Sequence, residues 1–420
     1  MARDGPDTAV RETVGAPHGP AEGHTPDTLP LEGLRVVEFS HMVMGPATGV
    51  ILADLGADVL KVEPPGGDNT RRLTGSGGGY FAMYNRNKRS LCADLKESRG
   101  RGLVHGILDT ADVVLENFRP GAMDRLGFGY PELSARNPRL VYCSLKGFLH
   151  GPYAERVALD EVTQMMGGLA YMTGLPGRPM RAGSSIVDIT GGMFGVIAIL
   201  AALAERNATG CGQRVTSALF ETTAFLVGQH MAQQAVLGEE PAPMSVRRAA
   251  WGVYDLFDCA DGQLFVAVVS DTQWRTFCKD FGLDALAADP VLADNAGRVA
   301  HRDRFLPMLR ELFEGLNRAE AGAQLARAGM PFAEINRPSD LFEDPHLVHA
   351  GLAEVRLADG EHAGDTTRLP KLPLEMAGRR FEVRRHLPRV GEHSRQAARG
   401  AGRGTDEIDA LIADGVILET

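Results

Sequence analysis

Cysteine is scarce. Five thiols, at Cys92, Cys143, Cys211, Cys259 and Cys278, lie far apart, form no C-x-x-C pair and have no histidine at metal-binding spacing. An odd, scattered set of this kind predicts neither a disulfide framework nor a structural metal site. Positive charge is also in deficit: 44 Lys and Arg stand against 54 Asp and Glu, a formal net charge of −10. Such a field opposes a broad grip on phosphodiester backbones, so no nucleic-acid partner is expected. A few placed cations and amides still suffice for a small phosphorylated ligand. Long apolar runs are missing too. The most apolar stretch, residues 193–203, stops at Glu205 and Arg206, short of the about 20 residues that cross a bilayer. It reads as a buried helix, and no membrane association is expected. Residues 1–30 are rich in Pro, Gly, Thr and charge and lack the apolar stretch of a signal peptide, which predicts a disordered lead-in to a cytoplasmic protein. No G-x-G-x-x-G opens a helix, and there is neither a Walker lysine loop nor a G-x-S-x-G elbow. The glycine-rich residues 76–79 read as a loop.

What is present is an ordinary globular composition, 44% hydrophobic and 23% charged over 420 residues, enough for two domains with their own cores. Short β-branched runs at residues 34–39 and 58–63 bracket a helical stretch that ends near Gly56, the spacing of a βαβ unit. The pattern repeats with strands at residues 90–95, 113–115 and 140–145 and a helix at 100–110. Residues 160–172 read as one helix, 214–219 as a strand or helix, 264–269 as a strand and 406–414 as a helix. The expected fold class is α/β: an open, parallel-sheet, Rossmann-like large domain (31–238) with a second, smaller α+β domain (251–365). A linker at 239–250 joins them, and residues 366–420 are expected to return and pack on the large domain.

Three places offer chemistry. Residues 84–90 carry three cations and two amides ahead of a strand, and serve either as a solvated turn or as a ligand loop. Asn117, Phe118 and Arg119 follow Glu116 at the carboxyl end of a strand, where open α/β sheets bind ligands. Arg125 comes about one helical turn later, so this edge suits an anionic ligand with a flat ring for Phe118 to cover, such as a nucleotide-bearing cofactor. Asp188 precedes Gly191, Gly192 and the long apolar helix. The helix dipole would stabilise its anion, which leaves two readings, a helix cap or a nucleophile open to an electrophile such as a thioester. Asp160, with Glu161 beside it, serves as a salt-bridge or amide-binding residue.

Several segments together resemble the class III CoA-transferase family, which includes formyl-CoA transferase, carnitine CoA-transferase and the α-methylacyl-CoA racemases. They are Leu31-Glu32-Gly33-Leu34-Arg35-Val36, residues 55–63, residues 85–90, Glu116-Asn117-Phe118-Arg119-Pro120-Gly121, residues 210–213 and Gly391-Glu392-His393. The resemblance implies that Asp188 is the catalytic aspartate, passing through a mixed anhydride and an aspartyl-CoA thioester, with coenzyme A and acyl-CoA as substrates and no tightly bound cofactor. The backbone N–H groups of Gly191 and Gly192 would steady the oxyanion. It also implies a CoA site made of Val43 and Met44, of Ala93, Asp94, Leu95 and Lys96 beside the adenine, and of Asn117, Phe118, Arg119 and Arg125. Val157 and Asp160 would lie near the reacting end. An interlocked homodimer is expected on the same ground.

Two departures bear on substrate. Val43 stands where formyl-CoA transferase has a glutamine, and Pro64 where it has an arginine, which speaks against formate or oxalate. Leu159 stands where racemases carry a histidine, and leucine moves no proton. Transfer to a carboxylic acid is therefore expected over racemisation. Residues 144–148 and 160–173 resemble members acting on short dicarboxylyl-CoA esters, including an intramolecular isomerase. A non-catalytic CoA-binding protein is the third alternative.

Overall fold

Near-continuous apolar runs become strands buried on both faces, as parallel sheets require. In the computed structural model, which describes residues 28–247 and 249–420, β1 (Arg35–Phe39), α1 (Met44–Asp54) and β2 (Asp58–Glu63) form the expected βαβ unit, with Val36 opposite Val59 in parallel register. There follow α2 (Tyr80–Tyr84), β3 (Arg89–Ala93), α3 (Ser98–Leu108), β4 (Val113–Glu116), α4 (Ala122–Leu126), α5 (Tyr130–Arg136) and β5 (Val141–Lys146). Next come α6 (Asp160–Met166), α7 (Leu169–Thr173), α8 (Ile186–Thr209), β6 (Arg214–Ala218) and α9 (Leu219–Leu237). The strands lie in the order β3-β2-β1-β4-β5-β6, all parallel, and Ile417–Leu418 adds an antiparallel edge to β3. This is the Rossmann order. Its direction reverses between β1 and β4, where a crevice opens at the carboxyl ends of the strands.

Two expectations need correction and one resolves. The helix expected at 160–172 is broken into α6 and α7, because Gly168 takes φ +83°, a conformation that interrupts a right-handed helix. The apolar stretch 193–203 is the middle of a 24-residue helix, α8. It is buried along one side only: Gly192, Gly195, Val196 and Ile199 pack inward while Met193 and Ile197 face out at 43% and 59% exposure. Residues 214–219 hold both alternatives in turn, strand β6 and then the start of α9. The lead-in expected at 1–30 falls almost wholly outside the described residues.

A second set of elements follows Trp251. Strands β7 (Val253–Cys259), β8 (Gly262–Val268) and β9 (Phe332–Glu334) pair antiparallel. Helices Asp271–Asp280 and Arg302–Glu314 bury Trp274, Phe277, Phe305 and Phe313 against them. The chain then returns to the first sheet. The N–H groups of Arg384 and Arg385 donate to Asn87 Oδ1 (2.6 and 2.9 Å), and that of His393 donates to Ser90 O (2.9 Å). Ala397, Ala398, Ile408 and Leu411 join the core beside Leu103 and Val104.

That return, together with acids of β1 and α1, packs around residues 85–88, so the 84–90 segment is neither a solvated turn nor a ligand loop. Asn85, Arg86, Asn87 and Lys88 are buried. Lys88 Nζ lies 2.8 Å from Glu38 Oε2 and Arg86 Nη2 lies 2.7 Å from Asp54 Oδ2. Lys61, also buried, sits 3.0 Å from Asp68 and donates to Ser40 O at 2.7 Å. Buried ions are tolerated only when paired and hydrogen-bonded, and these are. Gly49 makes room for the network, because a Cβ there would overlap Glu38 Oε2 and reach within 2.9 Å of Lys88 Nζ. Gly49→Ala is therefore expected to cost about 3 kcal/mol, read as a lower urea midpoint at unchanged m-value.

Candidate active site

The crevice at the sheet's reversal point contains a cavity of about 530 Å³. Its rim is built by two loops locked together. Asn117 Oδ1 accepts the N–H of His41 (3.1 Å) and Asn117 Nδ2 donates to His41 O (2.9 Å). The His41 ring stacks on Phe118 at 5.6 Å. Burial holds the His41 imidazole below its usual range, Asp68 opposing and Lys61 assisting. Met42 takes φ +63° and its N–H donates to Thr70 Oγ1 at 2.9 Å, a conformation uncommon outside glycine. Lys146, the last residue of β5, fixes the Phe118 loop from below by donating to Glu116 Oε2 and Phe118 O, each at 2.7 Å.

Of the residues singled out from sequence, Val43, Met44, Asn117, Phe118, Arg119, Arg125, Val157, Asp160 and Asp188 all line this one cavity. Ala93, Asp94, Leu95 and Lys96 do not. Ala93 ends β3 and the other three follow it, with β2 standing between β3 and β1, and Arg101 holds the carbonyls of Leu95 and Lys96. A neighbouring cavity of about 720 Å³ shares Arg119, Pro120, Lys146, Ala154 and Glu155 but is not lined by Asp188. Tyr80, Lys146, Arg181, Ser185 and Gln164 are site elements that sequence reasoning missed. Lys146 carried a readable signal as the charged end of an apolar strand, and Gln164 carried another, four residues after Asp160 on one helix face.

Asp188 lies in the first turn of α8, yet it does not cap it. The N–H groups of Val187 and Asp188 donate to Asp160 Oδ2 at 2.9 and 3.1 Å, so a carboxylate from α6 satisfies these free donors of the helix. Among the described residues no hydrogen bond reaches the Asp188 carboxylate. The expected stabilisation of its anion is accordingly reversed: burial and then the charge of Asp160 push Asp188 up to about 7, with Arg181 opposing. Burial, and Asp188 itself, push the Tyr84 hydroxyl up to about 12. The oxyanion role expected of Gly191 and Gly192 is corrected as well. Both lie inside α8, past the first turn, where the helical ladder uses the N–H groups. Their absent side chains serve packing instead, since a Cβ would come within 2.7 Å of Met44 Cε or 2.9 Å of Met44 O.

The sequence profile of CoA-transferase family III matches residues 31–394. The chain belongs to that family. It is 35% identical over 382 residues to a succinate–glutarate CoA-transferase of Agrobacterium fabrum, covering 87% of this chain and 94% of the relative. It is 37% identical over 357 residues to an acetyl-CoA:oxalate CoA-transferase of Acetobacter aceti, covering 83% and 90%. A CAIB/BAIF family protein from Brucella suis superposes with a TM-score of 0.78 at 34% identity, over 89% of this chain and all of that one. This family III CoA-transferase is thus an enzyme that takes CoA thioesters and carboxylic acids as substrates, and its α/β fold is that of the CAIB/BAIF structures.

The raised Asp188 carboxyl sets a pH dependence of stability. The unfolded chain ionises this group near its ordinary 3.8 while the folded enzyme resists ionisation until about 7. Folding is therefore penalised progressively between those values, and fully above them. Asp188→Asn is expected to raise the unfolding free energy by about 2 kcal/mol near pH 8 and to leave it unchanged near pH 4, measured by denaturant titration at both.

Proposed function

We propose that this enzyme moves CoA from an acyl-CoA donor to a carboxylic acid acceptor, a short dicarboxylate, through an aspartyl-CoA thioester on Asp188. The observation that carries the proposal is the half-buried Asp188 carboxylate, without a hydrogen-bond partner among the described residues, on the wall of the cavity that Asn117, Phe118, Arg119 and Arg125 also line. A carboxylate so placed attacks the donor thioester carbonyl, forming an acyl–aspartyl mixed anhydride and expelling the CoA thiolate. The thiolate then attacks the aspartyl carbonyl and releases the donor acid. The acceptor carboxylate repeats the sequence in reverse and leaves with CoA, while Asp188 regains its carboxylate. Every intermediate is an activated acyl group of comparable energy, so no ATP is consumed.

The named relatives support a small diacid as acceptor, since their names give succinate with glutarate in one case and oxalate in the other, and Val43 and Pro64 favour the longer diacids over oxalate itself. Leu159 supports transfer over racemisation, because an apolar side chain lines the cavity immediately before Asp160 and carries no proton. The expected product of incubation with acyl-CoA is an enzyme heavier by CoA on Asp188, cleaved by hydroxylamine to the aspartyl hydroxamate and seen by peptide mass spectrometry. Asp188→Asn should lose the adduct and at least about 10³-fold in exchange rate. No adduct across a broad acyl-CoA panel would overturn the mechanism.

A cytoplasmic homodimer belongs to the same reading. The outward faces of α8 and α9 expose Ile197, Phe225 and Met231 at 59%, 72% and 63%, an apolar surface that a second copy would cover. Light scattering after size exclusion is expected to give twice the chain mass, and a single-chain mass at micromolar concentration would contradict it.

A further inference from the structure

Four hydrogen bonds, one of them within α6, tie that helix to the loop before α8 and to the first turn of α8, 18 to 28 residues further along the chain. Asp160 Oδ2 accepts the N–H groups of Val187 and Asp188, and Asp160 Oδ1 accepts Gln164 Nε2 at 2.6 Å. Gln164 Oε1 in turn accepts the N–H of Ala182 at 2.8 Å. Both side chains are buried. The amide of Gln164 can face only one way, since its nitrogen must donate to Asp160 and its oxygen must accept from Ala182. Both Asp160 oxygens accept, the pattern of a carboxylate. The start of α8, and with it the backbone of Asp188, is therefore set from α6.

We propose that Asp160 is a positioning residue for the Asp188 nucleophile: it occupies the N-terminal donors of α8, holds a fixed negative charge beside Asp188, and is itself held by Gln164. This rests on the reading of Asp188 as nucleophile. A carboxylate at the start of a helix normally binds the free N–H groups and loses nucleophilicity with them. Asp160 takes those donors instead, so the Asp188 carboxylate lines the cavity unbound. The fixed charge then raises the basicity of Asp188, and with it its strength as a nucleophile, in the direction its carboxyl shows. Among the described residues the charged and titratable groups that line the cavity with Asp188 are Asp160 and Glu161 from α6, Arg181 from the loop before α8, Tyr80 from α2, His41 after β1, Arg119 and Arg125 after β4, Lys146 at the end of β5, and Glu155 and Arg156 before α6, while Asp188 raises the cost of ionising Tyr84 of α2. Arg181 opposes Asp160, with its guanidinium 3.6 Å from Asp160 Oδ1 and 3.6 Å from Glu161 Oε2.

The test is the pH dependence of kcat/KM for CoA exchange in folded variants. The acid limb of the unmodified enzyme is expected near pH 7. Asp160→Asn should move that limb down by about one unit or more, and Asp160→Glu should leave it in place. Arg181→Gln removes the opposing cation and should move it up. Gln164→Leu keeps the charge, so it should lower the plateau without moving the limb. An Asp160→Asn enzyme slowed equally at every pH, with its limb unmoved, would overturn the proposal. If Asp160→Asn does not fold, the partly exposed Arg181 carries the decision, and an unmoved limb in Arg181→Gln overturns it. Exchange that survives Asp188→Asn would instead remove the reading of Asp188 itself. An inactive Asp188→Asn alongside unmoved limbs would remove only the positioning role of Asp160.

Discussion

The close seat of α8 on α1 is the contact on which the rest of the site depends. Gly191 and Gly192 face Met44 along this seat, and Gly195 faces Thr48. The single Thr48 hydroxyl hydrogen is shared between Met44 O within its own helix (3.0 Å) and Gly192 O across the seam (3.1 Å). Side chains larger than hydrogen would push the helices apart, because interhelical spacing is set by what stands at the contact. α1 cannot retreat to make room. Gly49 on its inner side already lies against Glu38 and Lys88, so α1 is pinned between a buried ion network and α8. Asp188 sits one helical turn before Gly192, and its distance from Met44 and the switch-point crevice follows from this seam.

The molecule treats its buried charges in two opposite ways. In the network under α1, burial acts against Lys61, but Glu38, Asp68 and Glu63 outweigh it and its ammonium is held above its usual range. Lys88, with the same acid shared, is pushed by burial down to about 8, Glu38 opposing. Glu63 is held below its usual range: burial raises it, but Arg71 and Lys61 together outweigh that effect. Each of these groups has a partner of opposite sign within hydrogen-bonding distance. Asp188 has none among the described residues, and its nearest charged neighbour on α6 carries the same sign. Desolvation without compensation makes an ionised group costly, and a costly, unpaired carboxylate on a cavity wall is reactive for the same reason.

The sheet is readable in the sequence because its signal is local. Residues 113–115 are an unbroken apolar run with no polar alternation, and all four residues of that strand are buried. The Asn117 to Arg125 edge is equally readable, because a polar loop after an apolar strand marks the carboxyl end of a parallel sheet. Residues 84–90 are not, since their partners Glu38, Asp54 and Arg384 arrive from three other places in the chain. A loop of cations looks solvated until the groups that neutralise it are in view. The break after α6 does have a local sign, the pair Gly167 and Gly168, but the apolar pattern running through it masks that sign. The four residues Ala93 to Lys96, at and after the end of β3, rest on resemblance alone, and nothing in their composition places them relative to the crevice.

Asp188 shows why motif reading stops short of chemistry. An aspartate in the first turn of a long helix has a fixed expected behaviour: it accepts the free N–H groups, and the helix dipole stabilises its charge. Those donors are few, and a second acceptor with better geometry removes them from competition. Asp160 reaches Val187 N and Asp188 N from a separate helix, and the pairing is invisible in either local sequence. Once the donors are taken, the same position that predicts a quiet, stabilised cap yields a carboxylate faced by a like charge and partly stripped of water. In the proposed exchange that carboxylate must first attack and later be released from an acyl bond, tasks that a carboxylate bound by two amides performs poorly. The placement of Asp160 thus separates helix capping from nucleophilic attack by giving the two jobs to different aspartates.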